Sequence, residues 1–135
     1  MREGEQMGKD LRSLLVSAET VAEETLVNAL NGKVSILEGS GEVMAMPGLS
    51  KKDVPSQVIA YLLGLRAAVL LGQRPSAEAA ASEIASALHL DLQRVRETLS
   101  RLKNTVVTKT DSGYQIPIIR IQTACELVAS SSARR

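Results

Sequence analysis

The chain of 135 residues has no phenylalanine and no tryptophan, and its only aromatic residues are Tyr61 and Tyr114. A core built around large ring clusters is therefore excluded. Hydrophobic residues still make up 44% of the chain, so burial has to come from Leu, Val, Ile, Ala and Met, which favours close-packed helices. Cys125 is the single cysteine, which rules out an internal disulfide and sets no oxidising compartment. His89 is the single histidine. One Cys and one His supply neither a zinc ligand set nor a Ser/His/Asp or Cys/His arrangement, so no metal, cofactor or catalytic residue is expected and the chain does not read as an enzyme.

Long apolar runs are also missing. The most apolar stretch, residues 58–72 (VIAYLLGLRAAVLLG), contains Arg66 and is shorter than the roughly 18 residues a membrane span requires. It reads as a buried helix. The N-terminus, MREGEQMGKDLRSLL, has neither the apolar core nor the small-residue cleavage site of a signal peptide. The expectation is a soluble, cytoplasmic protein with no membrane partner. Gly39-Ser40-Gly41 lacks the Lys-Ser/Thr of a phosphate loop and reads as a turn.

Charge is unevenly placed. Residues 1–53 carry 6 Lys/Arg against 9 Asp/Glu, while residues 54–135 carry 10 against 6. An acidic first part joined to a basic second part fits a polyanion-binding domain with an attached partner or spacer unit.

Residues 1–9 are polar and Gly-rich and read as a disordered lead-in. Over 10–30 the apolar positions Leu11, Leu14, Leu15, Val21, Leu26, Val27 and Leu30 recur at helical spacing, with Glu19, Glu23 and Glu24 toward solvent. Asn31-Gly32 stops that helix. Two β-type runs, 33–38 and 42–46, flank the Gly-Ser-Gly turn and predict a hairpin. Pro55 fits the first turn of a second helix running to Leu71, with a wide apolar face. Gly64 in its interior suggests that another backbone approaches closely there. Ser76 reads as the N-cap of a helix over 77–88 that buries Ala77, Ala81, Ile84, Ala85 and Leu88. A break at His89-Leu90-Asp91 precedes a helix over 92–103. The β-branched runs 105–110 (TVVTKT) and 114–118 (YQIPI) flank Asp111-Ser112-Gly113 as a second hairpin. Residues 119–130 return to helical spacing, and the tail is expected to be loose. An internal repeat is a further reading, because Glu24-Thr25-Leu26, a β run, a Gly turn and Pro47 echo Glu97-Thr98-Leu99, a β run, Gly113 and Pro117. The first copy has too little sequence ahead of it for two more helices.

The informative stretch is residues 81–116, ASEIASALHLDLQRVRETLSRLKNTVVTKTDSGYQI. Glu83-Ile84-Ala85, then Leu88, the turn at His89, the run Val95, Leu99, Leu102 and a hairpin from Val106 to Ile116 resemble the winged helix-turn-helix superfamily of transcription regulators. With the preceding helix the resemblance covers about half the chain. It implies a mainly α (α+β) protein with a winged helix-turn-helix core over 49–118, an N-terminal helix plus β-hairpin over 10–48, and a C-terminal helix and tail over 119–135. His89 stands where such turns usually carry Gly or Asn; His tolerates positive φ better than most residues, so it reads as a turn residue.

On the third helix, spacing puts Leu92, Val95, Leu99 and Leu102 inward. Gln93, Arg94, Glu97, Ser100 and Arg101 face outward, with Arg96 and Lys103 on the flanks and Lys109 near the hairpin tip. Arg and Gln read guanine and adenine edges in a major groove, and flanking Lys/Arg neutralise phosphates. The expected function is duplex DNA binding, as a transcription regulator or DNA-organising factor. A homodimer is expected because Ile118, Ile119, Ile121, Leu127 and Val128 give the C-terminal segment more apolar surface than a small domain covers from within. The rival reading is a protein-interaction module in a larger complex, docking through the acidic N-terminal unit, because fold alone does not decide function. An ordinary solvated helix face would also be rich in Arg and Glu. Cys125 reads as core or interface.

Overall fold

The computed structural model describes residues 18–130, with the expectations for 1–17 and 131–135, including Leu11, Leu14, Leu15 and the tail, lying outside them. The elements are helix α1 (Ala18–Leu30), strands β1 (Val34–Ile36) and β2 (Val43–Ala45), and helices α2 (Val54–Leu70), α3 (Ala81–Leu88) and α4 (Leu92–Leu102). Strands β3 (Thr108–Thr110) and β4 (Gly113–Gln115), a 3-10 turn (Ile118–Arg120) and helix α5 (Ile121–Ser130) follow. The protein is thus an α+β structure of five helices and two antiparallel hairpins among the described residues.

Helix α2 is the spine. Asp53 starts it by accepting a hydrogen bond from the Ser56 N–H at 3.0 Å, with Pro55 in the first turn. Every residue from Ser56 to Leu65 is buried, because α2 packs against all four other helices and both hairpins. Gly64 and Arg66, about 200° apart around the helix, receive the two hairpins on opposite faces. At Gly64 a Cβ would lie 2.8 Å from Val43 Cγ1 and 3.4 Å from Val34 Cγ2. The close approach expected there is therefore made by side chains of β1 and β2, not by a backbone. On the other face Arg66 Nε donates to the Ile116 carbonyl at 3.0 Å, and its Nη2 to Gln115 Oε1 at 2.8 Å. One arginine in an apolar helix thereby clamps the second hairpin.

Two expectations are corrected in the segment before α3. The helix begins at Ala81, not 77, and Ser76 does not cap it; the N-cap position is Ala80, without a side-chain bond. Ala79 instead pairs with Tyr114, exchanging N–H···O bonds of 3.0 and 2.8 Å. Alanine-rich sequence suits a helix by propensity, but these two bonds to β4 hold the segment extended. Ser76 accepts from the Glu78 N–H as a local turn. The second hairpin is also shorter than read: Val106 and Val107 are buried ahead of β3, and β4 ends before Ile116. Near the C-terminus, α5 starts at Ile121 after the 3-10 turn that follows Pro117.

Helix α1 packs on α2 and α5, burying Leu26, Ala29 and Leu30. Residues of α1, α2, α3, α4 and α5 contribute to one core. Ile121, Ala124, Cys125 and Val128 of α5 are buried within it, and Lys52 Nζ donates to the Val128 carbonyl near the end of α5 at 3.2 Å. The apolar surface invoked for a dimer is accordingly smaller than the sequence suggested, since Ile121 and Val128 are covered by the chain itself. Ile119 (84% exposed) and Leu127 remain.

Candidate nucleic-acid interface

The site begins with a turn. His89 adopts the left-handed conformation, φ 58° and ψ 43°, at the end of α3. Its N–H donates to the Ser86 carbonyl at 3.3 Å and the Leu90 N–H to the Ala85 carbonyl at 2.9 Å. This pair of bonds satisfies the last carbonyls of α3 and turns the chain sharply. Asp91 then caps α4 by accepting from the Arg94 N–H at 3.2 Å. The turn and the cap together set how α4 leaves α3.

Helix α4 buries Val95, Thr98 and Leu99, with Leu92 and Leu102 half-buried at its ends. Thr98 was not among the residues expected inward; its hydroxyl donates to the Arg94 carbonyl one turn back at 2.9 Å, which lets it sit inside without an open donor. Gln93, Arg94, Arg96, Glu97, Ser100 and Arg101 are exposed, as is Lys103 just beyond the helix. Among the described residues, the side chains of Arg94, Arg96, Ser100, Arg101 and Lys103 take no hydrogen bond or ion pair. Gln93 donates to Glu97 Oε2 at 3.3 Å across one turn. Most of this row is therefore available to a ligand, and its charge is positive: residues 91–109 hold five Lys/Arg against two Asp/Glu.

Strands β3 and β4 pair Thr108 with Gln115, Lys109 with Tyr114 and Thr110 with Gly113. Lys109 is exposed and its ammonium sits 5.5 Å from the centroid of the Tyr114 ring, which holds the charge at the hairpin surface. Tyr114 is itself fixed by its two bonds to Ala79. All eight residues singled out in the sequence are thus exposed, seven along or just after α4 and one on the hairpin. One basic residue was missed. Arg120 is exposed and its Nη1 donates to the Thr105 carbonyl in the α4–β3 connection, which adds a cation near the end of α4. Its position at the start of the segment read as the C-terminal helix carried no signal of that placement.

No group of three His, Cys, Asp or Glu among the described residues is arranged to hold a metal ion, and no helix there is long and apolar enough to cross a membrane. Burial and the neighbouring Glu126 raise the Cys125 thiol to about 11, so it stays protonated and unreactive at neutral pH. The chain matches no family model, no curated protein and no solved structure.

Proposed function

We propose that the protein is a winged-helix DNA-binding protein, a transcription regulator or DNA-organising factor that lays α4 in the major groove as a homodimer. The observation that carries this reading is the outer row of α4. Arg94, Arg96, Arg101 and Lys103 are exposed, and their side chains take no hydrogen bond or ion pair among the described residues. A capped helix after a tight turn, with a cationic hairpin beside it, matches the way such helices meet DNA: the helix reads base edges and the flanks neutralise phosphates. The extended residue Ala79, paired with β4, supports the winged-helix assignment because it adds a third strand position to the hairpin.

The test is a fluorescence-anisotropy titration of duplex DNA at two salt concentrations with wild type and an Arg94→Ala/Arg101→Ala variant. Each lost base contact is expected to weaken binding by about 1–3 kcal/mol, and lost phosphate contacts flatten the salt dependence. Unchanged affinity in a properly folded double variant would overturn the reading.

A second reading has its own observation. Val27 (65% exposed) and Leu71 (59% exposed) border an apolar groove of about 310 Å³ between α1, β1 and the end of α2, with Glu23 at its edge. Exposed apolar surface rimmed by an acidic residue suits a protein partner. An interaction module would dock here, and α4 would then be a solvated face.

A further inference from the structure

A second cavity has no lining residue from α4. It is open to solvent, about 570 Å³ in volume, and walled by the β1–β2 hairpin, α2, the α2–α3 loop and α3. Its walls are tied together. Gly41 sits so close to the α2–α3 loop that a Cβ there would lie 2.5 Å from the Gln73 carbonyl oxygen, and the Gly39 N–H donates to the Gln73 side chain. Arg74 Nε donates to the Ser76 carbonyl at 2.7 Å, which anchors the guanidinium and leaves its two Nη atoms without a partner among the described residues.

Tyr61 is the unusual member of the lining. It is only 4% exposed, yet its hydroxyl has no hydrogen-bond partner among the described residues. Burial, then Glu83, push its phenol above the ordinary range, with Glu42 acting the same way and Arg74 opposing. All three charged groups line this cavity, so the hydroxyl is the end of the ring that faces it. A buried hydroxyl is normally satisfied by protein or by a bound molecule. Two carboxylates and one guanidinium also share the cavity without forming an ion pair with one another. Opposite charges that face one space unpaired complement a ligand carrying both signs.

We propose that this cleft binds a small zwitterion of the α-amino-acid class. The ligand's ammonium group lies between Glu42 and Glu83, and its carboxylate takes the Arg74 Nη donors and the Tyr61 hydroxyl. Its side chain lies toward Val43 and Ala87, the apolar part of the wall. The site stands independently of the nucleic-acid reading, and no DNA is needed to test it.

The experiment is a titration of the 15N-labelled protein with the standard L-amino acids, followed by amide chemical shifts. For each amino acid that binds, its decarboxylated amine and its deaminated acid are titrated too. At least one amino acid is expected to shift the amides of Glu42, Arg74 and Glu83 saturably, with both one-charge analogues weaker by about tenfold or more. Tyr61→Phe is expected to weaken that binding by about three- to tenfold, the worth of one hydrogen bond, and to leave the melting temperature equal or higher because the hydroxyl has no protein partner. Arg74→Gln should abolish the preference for the amino acid over its amine. Absence of saturable shifts with every amino acid would overturn the proposal. So would an amine that binds as tightly as its parent, or a Tyr61→Phe variant that melts several degrees lower.

Discussion

Helix α1 with the hairpin β1–β2 and helix α4 with the hairpin β3–β4 are built alike and present different surfaces. Among the residues whose side chains are described, each helix buries three at the same spacing, Leu26, Ala29 and Leu30 in α1 and Val95, Thr98 and Leu99 in α4. Each hairpin is docked through a glycine at positive φ whose missing Cβ admits a carbonyl: Gly41 (φ 74°) against Gln73, and Gly113 (φ 152°) against Ala79. Their outer faces have opposite character. Helix α1 exposes Glu23, Glu24 and Val27, whereas α4 exposes Arg94, Arg96 and Arg101. The inner positions decide where a helix packs and leave its outer charge open, so two similar units on one spine can present different chemistry. In the Glu-Thr-Leu echo between them, Glu24 and Glu97 are both exposed and Leu26 and Leu99 both buried.

The comparison breaks most visibly in the core. Leu99→Ala and Leu26→Ala each empty a buried site and are expected to destabilise by about 2–5 kcal/mol. Urea unfolding followed by far-ultraviolet circular dichroism suits a chain without tryptophan. A single shifted transition is expected for both, since α1 and α4 feed one core; a separate early transition in Leu26→Ala would show that the first unit folds on its own.

The glycines come next. Gly41→Ala and Gly113→Ala would each place a Cβ 2.5 Å from a backbone oxygen at a φ that L residues rarely adopt, a loss on the order of 2–4 kcal/mol. Gly64→Ala sharpens the contrast. Its Cβ meets a methyl of the buried Val43 at 2.8 Å, a side chain stiff at χ1, at a helical φ that alanine adopts freely with a gain of about 1 kcal/mol in propensity. The overpacking, about 1–3 kcal/mol, is therefore partly offset and a smaller loss than at Gly41 or Gly113 is expected; melting temperatures of the three variants will rank them.

The Arg66 clamp distinguishes the hairpins further. Arg66→Met removes the donors to Ile116 and Gln115 while keeping the aliphatic stem, so a loss of about 1–2 kcal/mol is expected. Hydrogen exchange should show the loosening at β4 and not at β1–β2. Equal loosening of both hairpins would mean that α2 itself has been disturbed.

The smallest effect concerns pH. The Cys125 thiol is raised to about 11 in the folded protein, above the roughly 8.5 of a free cysteine. Between those values the unfolded chain has lost a proton that the native one keeps, so stability falls as pH rises through that window and is unaffected below it. Cys125→Ala should flatten this alkaline slope in melting curves taken from pH 8 to about 11; an unchanged slope would assign it to other groups.

Much of this plan is legible in the residues themselves. Asp53-Val-Pro and His89-Leu-Asp91 mark helix ends because caps and left-handed turns are local chemistry, settled within a few bonds. The outer row of α4 could be read from spacing alone, since exposure on an amphipathic helix follows its period. Only the tertiary structure decided the rest. Ala77 to Ala80 lie outside the helix because β4 offers Ala79 two hydrogen bonds that no local pattern announces. Tyr61 comes to line one cavity with Glu42, Arg74 and Glu83 from separate segments, and Arg66 finds its partners some 50 residues away in sequence. Such meetings depend on how the helices pack around α2, a property of the whole core and not of any window along the chain.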